Sequence, residues 1–148
     1  TLKPYRGAQA FEALRYSTDM YSQDNKRPLA FMLTIGNLAF RKARAQFSCN
    51  FFAVAGFDVQ DNNGFATVEE GVAAAKAAGA EIVVVCSSDE EYAEIAPKVA
   101  ELLEEEILVV AGAPACMAEL QEKGITNFIH VKSNILEDLK AYQTKLGI

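Results

Sequence analysis

The sequence predicts an α/β domain: a doubly wound sheet of five parallel strands with helices on both faces. Three observations predict it. Five short apolar runs recur along the chain, as strands buried on both faces require. Between them lie stretches of helical period with caps and stops at their ends. At 148 residues the chain has the size of one ordinary domain and can bury one core.

Residues 1–28 stand apart, being polar, with Arg6, Arg15, Lys26, Arg27 and the run Ser22, Gln23, Asp24, Asn25. A short helix over residues 8–16, anchored by Phe11 and Leu14, fits a leader joined to something upstream. After Pro28 the alternation begins. Leu29–Thr34 is a continuous apolar run and reads as the first strand. Asn37 is placed to cap a helix to about Ala55, with Phe40, Ala43, Phe47, Phe51 and Val54 on one face and Gly56 as its stop. Residues 57–60 read as the second strand. Thr67, Val68, Glu69 and Glu70 form a capping box for a helix that Gly79 ends. Residues 81–86 are the clearest central strand. Ser88 to Glu91 reads as a second capping box, for a helix to about Glu105, bent near Pro97. Residues 107–110 form the fourth strand, and residues 115–123 a short helix stopped by Gly124. Residues 127–131 form the fifth strand. Asn134 caps a last helix carrying Ile135, Leu139, Tyr142 and Leu146 at helical spacing.

Right-handed crossovers between these strands build one sheet. The flavodoxin-like order 2-1-3-4-5 is expected, with the first and third strands adjacent at its centre. Ligands in such folds sit beyond the carboxyl ends of the strands. That directs attention to residues 34–40, 61–67, 86–92, 111–116 and 130–134.

Composition narrows the function. Apolar residues make up 51% of the chain and charged residues 23%, which excludes disordered and fibrous classes. No apolar run approaches the ~18–20 residues of a membrane span, and the first residues hold no signal-peptide core. A net charge of −6 opposes binding to nucleic acid. Three cysteines (Cys49, Cys86, Cys116) without a C-x-x-C pair fit buried thiols in a reducing, cytoplasmic setting. One histidine, His130, cannot build a multi-histidine metal site.

The strand-end loops lack the common phosphate devices. A dinucleotide fold needs G-x-G-x-x-G after its first strand, where this chain has only Gly36. No Walker loop occurs. A phospho-receiver needs acidic residues at the first and third strand ends, which here read Thr34, Ile35 and Cys86, Ser87. Thr34 alone weakly echoes a flavin phosphate loop.

From about Gly7 onward the chain resembles the C-terminal, cobalamin-binding domain of methylmalonyl-CoA mutase. The resemblance rests on Gln9 to Arg15, which is similar to the segment joining barrel and domain; on Ala55 to Val59 at the second strand; on Phe65 to Glu70 at the following helix start; and on the passage from the third strand into Ser87 and Ser88. It implies a leader at residues 1–28 from an upstream barrel, and a cobalamin-binding-domain fold over residues 29–148.

The resemblance also implies a D-x-H-x-x-G motif in the first loop, whose histidine ligates cobalt and whose aspartate orients it. Here Ile35 stands for the aspartate, Asn37 for the histidine and Phe40 for the glycine. The family's S-x-L motif reads Ser87, Ser88, Asp89, and its Gly-Gly pair reads Gly112, Ala113. These seven positions (Ile35, Asn37, Phe40, Ser87, Asp89, Gly112 and Ala113) describe a degenerate slot, with Phe40 and its neighbours Phe47, Phe51 and Phe52 filling the vacated space. Bacterial mutases of this family pair a large catalytic subunit with a small one that has lost the cobalamin residues. The expectation is therefore a structural, subunit-stabilising domain of a small subunit. No cofactor and no metal are expected in this domain, with adenosylcobalamin in the partner large subunit. The alternatives are a functional cobalamin-binding domain of an adenosylcobalamin-dependent mutase and a stand-alone small-molecule-binding regulatory domain.

Other residues carry plainer readings. Asn37 is a helix cap before it is a cobalt ligand. His130 is a hydrogen-bonded structural histidine, and Cys86 and Cys116 are structural thiols. Ser87 and Ser88 cap a helix, and Glu104 to Glu106 end a solvated one.

Overall fold

In the computed structural model, which describes residues 2–36, 38–62, 64–112, 114–130 and 133–148, the alternation of runs becomes an alternation of elements. They are α1 (Leu2–Asp24), β1 (Leu29–Thr34), α2 (Leu38–Ala53), β2 (Asp58–Gln60), α3 (Val68–Ala78), β3 (Ile82–Cys86), α4 (Asp89–Leu102), β4 (Ile107–Ala111), α5 (Met117–Glu122), β5 (Phe128–Ile129) and α6 (Ile135–Leu146). The strands form one sheet in the order β2-β1-β3-β4-β5, every pairing parallel. The flavodoxin-like order is therefore present, and β1 and β3 are neighbours over five residue pairs from Ala30–Ile82 to Thr34–Cys86.

Alternation within each strand sorts the core into two layers. Ala30, Met32, Ile82, Val84 and Cys86 face α1, α2 and α6, and pack with Leu14, Phe51, Phe52, Leu139 and Tyr142. Phe31, Leu33, Val83 and Val85 face the other way, onto Val72, Tyr92, Ile95, Val99 and Leu120 of α3, α4 and α5. Both faces of β1 and β3 are covered, which is why their sequences are apolar throughout.

Helix ends follow local chemistry. Thr67 accepts the Glu70 N–H at 3.2 Å, Asn134 accepts the Glu137 N–H at 3.1 Å, and Gly79 closes α3 at φ 73°. At α4 the expected box is different. Ser88 accepts no backbone N–H, and its hydroxyl donates to the Glu91 carboxylate at 2.6 Å. That helix also ends at Leu102, because Leu103 turns extended and the Glu104 N–H donates to the Glu106 carboxylate. The acidic run thus lies in the turn before β4, with Pro97 inside the helix.

Two further expectations change. The leader helix spans Leu2–Asp24 rather than residues 8–16, since Pro4 falls in its first turn, where a missing N–H costs little. Packing prolongs it: Leu14 and Thr18 are buried, Phe11 packs on the core, and Gln143 of α6 reaches it. The buried face of α2 is Ala45, Ser48, Phe51 and Phe52, with Phe47 partly covered, while Phe40, Ala43 and Val54 are exposed. The reason is position. Arg44 already meets the carboxyl end of β3, so Phe40, a turn earlier, stands beyond the strands. No helix among the described residues is long and apolar enough to cross a membrane.

Candidate functional site

The carboxyl end of β1 is tied down by the loop after β2. Thr34 Oγ1 donates to Asn62 Oδ1, and the Asn62 amide donates to the Met32 carbonyl. Phe65 then runs beside the chain, its N–H donating to the Thr34 carbonyl at 2.9 Å and Phe65 forming a parallel bridge with Ile35. Ile35 is 8% exposed and belongs to the apolar cluster that holds Val68, Tyr92 and Ile95. A position that would orient an imidazole through a carboxylate is here a core residue. Burying a charge in its place, without a partner, would be costly.

The centre of the slot belongs to a residue that the sequence reading missed. Arg44, on the buried side of α2, donates from Nη1 to the Ser87 carbonyl at 2.7 Å and pairs through Nη2 with Asp89 Oδ1 at 2.7 Å. Its guanidinium lies 5.4 Å from the Tyr92 ring centroid and 5.6 Å from that of Phe40. A Cβ added to Gly112 would fall 3.1 Å from Arg44 Nη1 and 3.2 Å from Asp89 Oδ1. Ser87, Asp89, Gly112 and Phe40 are therefore brought together, and Arg44 joins them. Burial opposes the Arg44 charge, but the Tyr92 hydroxyl and the Asp89 carboxylate outweigh it and its pKa rises.

Tyr92 organises the floor. It is fully buried, its hydroxyl donates to the Ala111 carbonyl with the Val85 carbonyl a longer alternative acceptor at 3.3 Å, and it accepts the Ser87 N–H at 3.0 Å. The hydroxyl so ties the ends of β3 and β4 together, and burial pushes its pKa up. Ser87 caps nothing. Its hydroxyl is buried and has no hydrogen-bond partner among the described residues. Asp89 sits in the first turn of α4, where the helix dipole favours a carboxylate. Phe40 is not the plug expected of it, being 51% exposed. Phe51 and Phe52 lie in the core against Phe57 and Tyr142, away from the slot. Asn37 and Ala113 lie outside the described residues. Spacing held one clue to Arg44: it lies four residues before Ser48 on the stripe that continues to Phe51 and Phe52. Tyr92 gave no signal beyond its place in a strand-end loop.

The remaining candidates stay apart. Cys86 is buried, its thiol donates to the Val84 carbonyl at 3.6 Å, and burial pushes its pKa up. Cys116 lies at the start of α5. The His130 backbone N–H donates to Ser133 Oγ at 2.9 Å. Among the described residues no three His, Cys, Asp or Glu side chains converge on a metal position. Two open cavities flank the slot. One of about 460 Å³ lies between α2 and the loop after β2, lined by Thr34, Arg41, Lys42, Asp61 and Asn62. The other, of about 520 Å³, borders Ile35, Phe65, Thr67, Glu91 and Lys98 on the opposite face.

No family model matches the chain. It is 60% identical, over 97% of its length, to a methylmalonyl-CoA mutase small subunit of Porphyromonas gingivalis. It is 34% identical, over 66% of its length, to a methylmalonyl-CoA mutase small subunit of Streptomyces virginiae. The chain spans 23% and 16% of those proteins. Among solved structures it is similar to a cobalamin-binding protein from Desulfitobacterium hafniense, with a TM-score of 0.55, 22% identity, and coverage of 91% of this chain and 67% of that one. The chain is thus a homologue of one segment, about a quarter, of a methylmalonyl-CoA mutase small subunit, on a fold shared with a cobalamin-binding protein.

Proposed function

We propose that this chain is the cobalamin-binding-type domain of the small subunit of a heterodimeric methylmalonyl-CoA mutase, and that its role there is structural: it stabilises the pairing of subunits. The isomerisation of methylmalonyl-CoA to succinyl-CoA, with adenosylcobalamin, is assigned in this reading to the large subunit, in a cytoplasmic complex of propionate metabolism. Residues 1–28 are the leader from an upstream barrel.

The observation that carries the reading is the 60% identity to a mutase small subunit over nearly the whole chain. The slot supports its structural half. The residues present are a poor fit to cobalamin. Ile35 is packed in an apolar cluster, so no carboxylate can orient a cobalt-bound imidazole there. The backbone of Gly112, where a nucleotide tail would approach, is overlain by Arg44 and Asp89.

Two measurements test it. Titration with hydroxocobalamin and adenosylcobalamin, followed by visible absorbance and by gel filtration, is expected to leave the chain colourless. Stoichiometric retention would move the chain to the alternative, a working cofactor carrier. Capture of a cognate large subunit by the full-length small subunit, with and without this domain, is expected to drop when the domain is removed. Equal recovery and equal stability of the complex would overturn the subunit-stabilising role.

A further inference from the structure

We infer that Arg44 is the residue that closes this slot: its side chain is an internal occupant, taking the contacts a ligand would otherwise take. The inference rests on the slot being free of cofactor and names what replaced it.

The geometry separates Arg44 from an ordinary surface ion pair, which contributes little. Its side chain is 20% exposed, less than half the exposure of its partner Asp89. The two ends of its guanidinium fork are used differently, one on the Ser87 carbonyl and one on the Asp89 carboxylate, both at 2.7 Å. Its plane lies within 6 Å of two aromatic rings, Tyr92 below and the exposed Phe40 on the outer side. Only a planar cation with several donors can meet a carbonyl, a carboxylate and ring faces at once, and a lysine cannot. Arg44 so links α2 to the turn after β3 and to the start of α4, beside Gly112 at the end of β4, where these segments converge at the carboxyl end of the sheet.

Gly112 completes the argument. Its backbone sits at φ 142°, and an added Cβ would meet Arg44 Nη1, Arg44 Cζ and Asp89 Oδ1 within 3.2 Å. The missing side chain at Gly112 makes room for the guanidinium. A glycine suited to close approach by a ligand serves here for close approach by the protein's own arginine, and Asp89 is the counter-charge that holds it.

The test is made on the full chain. Arg44→Ala is expected to lower Tm by several degrees, in the range a lost buried contact gives a domain of this size. Methylguanidinium at tens of millimolar should raise the Tm of Arg44→Ala and leave the wild type unmoved or lower, and methylammonium should not substitute. Arg44→Lys should stay low, and Arg44→Gln is the milder variant should the alanine form fail to fold. A double-mutant cycle adds a second reading: Gly112→Ala should cost markedly less in the Arg44→Ala background than in the wild type, because backbone strain persists in both and only the clash with Arg44 is relieved. Wild-type Tm in Arg44→Ala, rescue by both cations alike, or additive losses would overturn the inference while leaving the cofactor-free reading intact. Retention of hydroxocobalamin by the wild type would overturn that reading separately.

Discussion

Gln143 and Thr18, on α6 and α1, share a buried hydrogen bond of 3.0 Å, and the same Gln143 amide donates to the Leu14 carbonyl at 2.8 Å. Thr18 is fully buried and Gln143 nearly so, so the leader helix is fastened to the domain by a polar contact that excludes water. Gln143→Leu leaves that hydroxyl without its partner. The expected loss is about 1–3 kcal/mol, read as a lower urea midpoint with faster amide exchange along α1. An unchanged midpoint would show that the leader is held by its apolar contacts alone.

Tyr92→Phe tests the floor of the slot. The substitution keeps the ring and removes one hydroxyl, leaving the Ser87 N–H and the Ala111 carbonyl to find other partners. A cost of about 1–3 kcal/mol is expected, with amide exchange increasing first at Ser87 and Gly112. Full retention of stability would show that water replaces the hydroxyl without penalty.

Gly71→Ala sets two effects of known size against each other. In an exposed helix the change would stabilise by up to ~1 kcal/mol. Here Gly71 is buried in α3, and an added Cβ would lie 2.8 Å from Leu33 Cγ, a fully buried side chain of β1. Overpacking of this kind costs about 1–3 kcal/mol, so net destabilisation is expected. Thermal melts of the variant decide the sign. A raised Tm would mean that Leu33 has room to shift.

Stability should fall on the alkaline side. Burial, with help from the nearby Asp61 charge, pushes the Cys49 thiol up to about 11, and burial raises Cys86, Tyr92 and Tyr142 as well. Unfolded thiols ionise near ~8.5. Above that pH the unfolded chain has released protons that the native state retains, so unfolding becomes easier as pH rises toward 11. Below ~8.5 these groups leave stability unchanged. Urea midpoints at pH 7, 9 and 10 should therefore decline, and native Cys49 and Cys86 should alkylate far more slowly than the same thiols in denaturant. A flat profile would contradict the burial of these groups.

Strand runs and capped helices were legible because each is written locally. Leu29–Thr34 was delimited to the residue, and the Thr67 and Asn134 caps formed as their residue types dictate. The face of α2 was misjudged because periodicity alone does not say where a helix overhangs its sheet. Phe40 has the hydrophobicity of a plug but stands past the strand ends, whereas Arg44, a charged residue that periodicity does not single out, reaches the slot. Asp89 appeared in sequence as a charge without a partner because that partner lies 45 positions earlier, on the far side of two strands and a helix. A pair of that separation leaves no local trace. The length of α1 was hidden for a related reason, since Gln143, which holds it, sits at the opposite end of the chain.

The strand order has a consequence for how the chain acquires its structure. β1 pairs with β2 and β3, β3 with β4, and β4 with β5. Every ladder is parallel, so none can begin as a hairpin, and each must close a loop containing a whole helix before its first hydrogen bond forms. Such topologies have high contact order and fold slowly, with central strands exposed in the interval. The run at β3 (Ile82–Cys86) carries no charge and is prone to pair with another copy while β1 is still finding it. Refolding yield should accordingly fall with protein concentration, and variants that slow the docking of β1 onto β3 should aggregate before they lose native stability.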